Sequence, residues 1–196
     1  MELSSVTPDP SGLRALSHPT RLKMLGMLRS DGPATATTLA ARLGLNTGQT
    51  SYHLRQLAQH GFVVDDLERG NGRDRWWKAA HQSTMTSGEP ADPADREAFD
   101  AYVQAVAVMY THNLQAAIEE RPLLPKEWRD ASTVSDYHVQ VTAQHAEALT
   151  TKMHEIFMEL REDADDDPDA AEFVFQFQAF PRPGYLGGEP GGETAR

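Results

Sequence analysis

Asn46–Gly61 reads NTGQTSYHLRQLAQHG, and its side chains sort onto two faces when wound at 3.6 residues per turn. Thr50, Leu54, Leu57 and Ala58 fall at the i, i+4, i+7, i+8 spacing of a buried helix stripe. Gln49, Tyr52, His53 and Gln56 fill the opposite arc, with Ser51 and Arg55 on its flank. That arc can donate and accept hydrogen bonds yet carries one firm charge, which is the inventory that meets base edges in a DNA major groove. A helix facing only solvent more often fills such an arc with Glu and Lys pairs. The stretch therefore predicts a short helix that seats one side in a core and reads DNA with the other. Thr47 joins the candidate DNA-facing set at its start. Gly48 costs helicity there but allows close backbone approach.

The flanking sequence supplies what such a helix needs. Upstream, Leu13–Leu16 predicts one helical turn. Ser17-His18-Pro19-Thr20 then starts a helix, with Ser17 or His18 as cap and Pro19 at the first position. Leu22, Leu25, Met27 and Leu28 form the apolar side of that helix, which stops at Asp31-Gly32. Thr35 or Thr37 caps a third helix with Leu39 and Leu43 inward and Gly44 as its stop. Two short helices about a Gly-containing turn make a helix-turn-helix unit, its second helix in the reading position. Downstream, Phe62–Leu67 and Arg73–Lys78 have strand composition around Gly70-Asn71-Gly72, a centre suited to a hairpin turn. Arg69 near the tip, with Arg73 and Arg75 on the second strand, would lie along a phosphate backbone beside the groove.

Four blocks in this order, LSHPTRLKML (Leu16–Leu25), TTLAARLGL (Thr37–Leu45), SYHLRQLAQHGFV (Ser51–Val63) and GRDRWWKAA (Gly72–Ala80), resemble the winged helix-turn-helix of arsenic-repressor-like (ArsR-like) transcription regulators. The resemblance covers residues 13–80, about a third of the chain. It implies a homodimeric DNA-binding regulator, usually a repressor released by an effector. Metal-sensing members carry a cysteine pair on the helix before the reader, and TTLAARLG has no thiol. Others use histidine and carboxylate ligands on a C-terminal helix. Asp136-Tyr137-His138 begins like such a set, but Leu149 stands where the second histidine belongs, and His145 and His154 have the wrong offsets. No metal and no cofactor are expected.

Composition sets the outer limits. The 196 residues include no cysteine, which excludes disulfides, thiolate metal sites and cysteine nucleophiles. The start, MELSSVTPDPSGL, lacks a basic region and an apolar core, and no apolar run approaches the ~20 residues that span a bilayer. A soluble, cytoplasmic protein without membrane contact is expected. A net charge of -11 seems at odds with DNA binding until it is divided. Residues 1–81 hold ten Lys+Arg against seven Asp+Glu, a balance of +3, and residues 82–196 hold eight against twenty-two, a balance of -14. A weakly basic head on an acidic body presents one face to nucleic acid.

The expected fold class is mainly α with small β: an N-terminal winged helix-turn-helix, a long dimerisation helix and a C-terminal βαβ unit. Residues 1–12 are read as a flexible arm, 13–81 as the DNA-binding domain, 82–93 as a linker, 94–180 as a dimerisation and effector domain, and 181–196 as a disordered tail. In the fourth of these units, Phe99, Tyr102, Val103, Val106, Tyr110 and Leu114 lie on the stripe of a helix from Ala94 to Glu120 that needs a partner. A second copy would set two readers about one DNA turn (~34 Å) apart. Strands at Tyr137–Val141 and 173–180 flank a helix capped by Thr142 and complete the βαβ unit. Phe99, Tyr102, Trp128, Tyr137 and Phe157 are candidates to enclose an apolar small-molecule effector, although an aromatic cluster is more often plain core. Asp163 to Asp169 spaces acids like a calcium loop, but Pro168 and Val174 occupy positions needing glycine and glutamate. An acidic connector is the reading that survives.

Three function classes remain in view. The first is a dimeric, sequence-specific binder of double-stranded DNA that controls transcription. The second is a winged-helix protein-interaction module without DNA binding. That module would want apolar residues on the recognition face, where Tyr52 stands nearly alone. An enzyme is not expected, because no carboxylate pair lies beside a Gly-rich phosphate loop or a nucleophile motif.

Overall fold

The computed structural model describes residues 4–69, 74–86, 88, 90–160 and 167–186. In chain order the elements are β1 (Ser5–Val6), α1 (Pro10–Leu16), α2 (Pro19–Ser30), β2 (Ala34–Thr35), α3 (Ala36–Leu43), α4 (Thr47–Gln59), β3 (Val63–Asp65), β4 (Trp76–Ala79) and β5 (Ser83–Thr84). The long α5 (Pro93–Glu120) follows, then a 3-10 turn (Arg121–Leu123), α6 (Lys126–Ala131) and α7 (Ala143–Glu159). The fold is mainly helical with small sheets, as its sequence implies.

Side-chain chemistry at the helix ends explains where each helix starts and stops. The His18 imidazole accepts from the Thr20 amide and Pro19 occupies the first turn of α2, where its missing N–H costs nothing. Thr35 caps α3, and Gly44 ends it in the left-handed conformation at φ 65°, which a side chain would resist. Asn46 and Gln49 form a reciprocal capping box at the start of α4.

The head has one core, drawn from α1, α2, α3, α4, the sheet and α5, with Leu16, Met24, Leu25, Leu39, Leu54, Leu57, Phe62 and Val63 as its most enclosed residues. Within it the reader helix is held by Thr50, which is 0% exposed and donates its hydroxyl to the Ala36 carbonyl at 2.8 Å. Leu54 and Leu57 are equally enclosed below it. Each such leucine contributes about 1.5–3 kcal/mol relative to exposure. The wing is a three-stranded antiparallel sheet of order β2-β4-β3, with Ala34 opposite Trp77 and Val63 opposite Ala79. The third strand, β2, is two residues long and has no periodicity for a sequence pattern to reveal.

Several expectations change. Residues 4–12 are not a loose arm: Ser5–Val6 pairs in parallel with Ser83–Thr84. The Asp9 carboxylate then caps α1, accepting from the Gly12 amide at 2.7 Å, so that helix runs a turn earlier than Leu13. The same pairing places β5 inside the stretch read as the 82–93 linker. Arg29 reinforces the join, donating to the His81 carbonyl at 2.9 Å and the Thr84 hydroxyl at 2.8 Å.

The βαβ unit does not form. Residues 137–141 and 173–180 carry no strand pairing, and Tyr137 is 87% exposed. Two isolated strands bury too little to hold together. The alternating phenylalanines pack on helices instead: Phe173 stacks on Trp128, Phe175 lies 5.2 Å from Phe157, and Phe177 meets His154 edge-on. Within the acidic connector, Asp163 to Asp166 lie outside the described residues.

Replacing Thr50 by Val keeps the shape of the side chain but removes its hydrogen bond to the Ala36 carbonyl and with it the tie on α4. A loss of about 1–2 kcal/mol in urea unfolding is expected. An unchanged midpoint would show that the hydroxyl does not seat this helix.

Candidate nucleic-acid interface

Seating α4 by Thr50, Leu54 and Leu57 turns its opposite arc outward. Thr47, Gln49, Tyr52 and Arg55 are exposed; Ser51, His53 and Gln56 are half-buried. Gln49, however, is not a free group. Its carbonyl oxygen accepts from the Asn46 side-chain amide at 2.8 Å and from the Asn46 backbone at 3.3 Å. Gln49 therefore holds the start of the helix as well as facing outward. Gln56 makes only a long 3.5 Å contact to Gln59. Arg55 is in no ion pair among the described residues.

The described wing cations are already paired. Arg75 forms a two-pronged pair with the Asp65 carboxylate, one arm at 2.7 Å, and its guanidinium lies 4.0 Å from the centre of the Trp77 ring. The hydrogen bond from Arg75 holds Asp65 below the usual carboxylate range. Asp66 is buried and faces Arg69 and Lys78, each at 3.6 Å. The sequence shows these arginines but not the carboxylates that neutralise them across the sheet. Arg73 lies outside the described residues, as do Gly70, Asn71 and Gly72.

Between wing and reader lies a shallow concavity of about 190 Å³ lined by Thr35, Ala36, Thr37, Ser51, Arg55, Asp74, Arg75 and Trp77. The amino end of α3 borders it, and hydroxyl side chains and two arginines line it together with Asp74. That lining suits a phosphate oxygen rather than an apolar ligand.

On the other edge of the reader the structure shows residues that pattern reasoning missed. His18 and His53 bring their rings to 4.6 Å, with the Tyr52 ring 5.5 Å from His53. Arg21 sits with them, and the Nε of Arg21 and the Nδ1 of His53 are buried atoms with no hydrogen-bond partner. Burial, followed by the neighbouring His18 and Arg21 charges, lowers the His53 pKa; burial and Arg21 likewise lower that of His18. The SHPTR block carries both His18 and Arg21, yet on sequence grounds it signals only a helix start.

The residues expected at a dimer contact divide between inside and outside. Tyr102 is buried in the head core, and Phe99 and Val106 pack partly against it. Desolvation pushes the Tyr102 phenol up to about 12, and raises Tyr110 as well. Val103 and Leu114 remain exposed, together with Val108 and Ile118. The five aromatics expected to enclose an effector do not converge: Phe99 and Tyr102 belong to the head core, while Trp128 and Phe157 pair with Phe173 and Phe175. Among the described residues no helix is long and apolar enough to cross a membrane.

Residues 16–65 match the helix-turn-helix domain family. Over 56 residues the chain is 43% identical to the HTH-type transcriptional regulator NmtR of Mycobacterium tuberculosis, a match covering 29% of this chain and 46% of that protein. The chain thus spans less than half of the length of this relative. Among solved structures, an apo-form variant of Lactococcus lactis ZitR aligns over 71% of this chain and 83% of its own, at 13% identity and a TM-score of 0.33. A transcriptional regulator from Thermotoga maritima aligns over 72% and 80%, at 12% identity and a TM-score of 0.30.

The lowered imidazole values have a consequence for stability. The unfolded chain binds more protons than the folded one between the folded and ordinary imidazole values, so stability is full above the ordinary value and falls as pH drops through that interval. Asp9 and Asp65, held below the ordinary carboxylate value, add stability that is fully present above that value and is lost only at more acid pH. Thermal melts from about pH 8 to about pH 5.5 should therefore show a falling Tm, and His53→Gln should flatten part of the fall. The same slope in parent and variant would contradict the buried-imidazole account.

Proposed function

From the premise that residues 16–65 form an ArsR-like winged helix-turn-helix domain, we propose that this chain is a sequence-specific DNA-binding transcription regulator. One observation carries the reading: the polar arc of α4 faces outward from a helix whose rotation is fixed by Thr50, Leu54 and Leu57. In this reading α4 enters the major groove and Thr47, Ser51, Tyr52, His53 and Gln56 face it, with Gln49 both capping and contacting. Arg55 grips the backbone, and the concavity beside it receives a phosphate. Arg69, Arg73 and Arg75 add the wing. Asp65 and Asp66 restrain Arg75 and Arg69 until DNA competes for them.

The chain is further proposed to act as a homodimer and as a repressor, in the cytoplasm. Support for the dimer comes from unpartnered apolar surface. Val103, Leu114 and Ile118 of α5 and Leu149 and Ile156 of α7 are exposed, and α7 buries no residue at all in the single chain. Apolar surface of that extent marks association. A twofold pair would present readers to half-sites about one DNA turn (~34 Å) apart. The five candidate aromatics do not come together among the described residues, and the proposal does not include an effector.

Three substitutions separate the roles, measured on a selected cognate duplex and on random duplex. Arg55→Ala should weaken both alike and reduce the salt slope by about one. Gln56→Ala should relax preference at one or two base pairs, a cost of about 1–3 kcal/mol on the cognate alone. Asp65→Asn should tighten binding to both by releasing Arg75. Equal losses from Arg55→Ala and Gln56→Ala on both duplexes would overturn the division between grip and reading.

A further inference from the structure

His18 and Arg21 have no place in the reading of bases as the sequence presents it, yet they form a cluster with His53 of the base-facing arc. Its three members come from two elements: His18 and Arg21 from the first turn of α2, His53 from the middle of α4. The ring-to-ring distance of 4.6 Å places two imidazoles in contact beside a guanidinium. Two nitrogen atoms of the cluster, Arg21 Nε and His53 Nδ1, are buried without a hydrogen-bond partner. Buried polar atoms are nearly always satisfied, so two orphans in one cluster mark it as unsettled in the free chain, and the half-buried residues leave other edges open to an outside group. The charged and titratable groups facing the imidazoles are His18, Arg21 and the Tyr52 phenol, and no carboxylate acts on either ring among the described residues. The wing differs sharply, since Arg69, Arg75 and Lys78 all face aspartates. Cationic groups with orphaned nitrogens and no acid nearby have the composition of an anion site, and this one borders the helix proposed to enter the groove.

We propose that His18, Arg21 and His53 form a phosphate subsite on the edge of α4, which seats a backbone phosphate of duplex DNA and takes up one proton from solvent in doing so. This inference rests on the DNA-binding reading and assigns His53 to the backbone rather than to a base. The physical cycle is simple. Without DNA, desolvation and Arg21 keep both imidazoles neutral, because a second positive charge in the cluster has nothing to balance it. A phosphate supplies the missing negative charge, so one imidazole becomes protonated and donates to a phosphate oxygen. Binding and proton uptake are then linked: affinity rises as pH falls through the interval between the unbound and bound imidazole values.

The test is fluorescence anisotropy of the full chain on a mixed-sequence duplex at low salt, from about pH 8 to about pH 6. The parent chain should bind more tightly as pH falls, by at most about tenfold per pH unit for one proton. His53→Gln should still bind but lose most of that dependence. His18→Asn, which retains an α2 cap, should do the same, so neither result depends on a variant that fails to fold. Arg21→Gln should lower the magnitude of the salt slope by about 0.9, one phosphate contact. Binding with a flat pH profile in the parent, or an unchanged profile in both histidine variants, would overturn the subsite and leave the DNA reading standing. Absence of any duplex binding by the parent at every pH would overturn both.

Discussion

The Thr50 hydroxyl on the Ala36 carbonyl, 2.8 Å long and wholly enclosed, decides what the outside of this protein offers. A helix in a groove between other helices can settle at several rotations if its buried side is only greasy. A directional bond between α4 and the start of α3 picks one rotation, and Leu54 and Leu57 fill the space beneath it. With that angle set, the polar arc must face out. The same bond draws the amino end of α3 close to α4, which shapes the concavity shared by Thr37, Ser51, Arg55 and Arg75.

Charge on the outer surface is distributed less simply than a count of arginines suggests. The wing is a set of balanced pairs, with Asp65 and Asp66 opposite Arg75, Arg69 and Lys78. The more exposed of these, Arg75 with Asp65, is of a kind that contributes little to stability, commonly below about 1 kcal/mol. Their effect is to moderate the positive potential of the wing. Among the described residues Arg55 and Arg21 have no such ion pair. An acidic second half keeps the remaining surface away from polyanions, so the electrostatic footprint is narrow.

Much of the head was legible because its signals are local. A cap, a stop glycine and a 3.6-residue stripe are written within a dozen residues, and α2, α3 and α4 begin and end close to where those signals put them. Contacts between distant residues were not legible. Nothing in Ala34-Thr35 announces a strand, because its pairing with Trp77 and Trp76 comes from tertiary placement. Arg75 reads as a free cation until Asp65 is seen across the sheet, and the meeting of His18 with His53 spans 35 positions and two helices. The second half misled for a different reason. Alternating Phe173, Phe175 and Phe177 fit a strand pattern, yet the same alternation lets three rings lie on α6 and α7. Likewise the stripe of α5 reads as one continuous interface, whereas Tyr102 with Phe99 and Val106 closes the core of its own head and leaves Val103 and Leu114 outside.

The second half retains exposed apolar surface, and the head retains an outward polar helix; a pair of chains on DNA would account for both. The central claim concerns the head, and titration of the full chain with random-sequence duplex at low salt tests it most directly. The account predicts binding at micromolar protein that weakens steeply and log-linearly as salt is raised. No binding at micromolar protein under those conditions would contradict it.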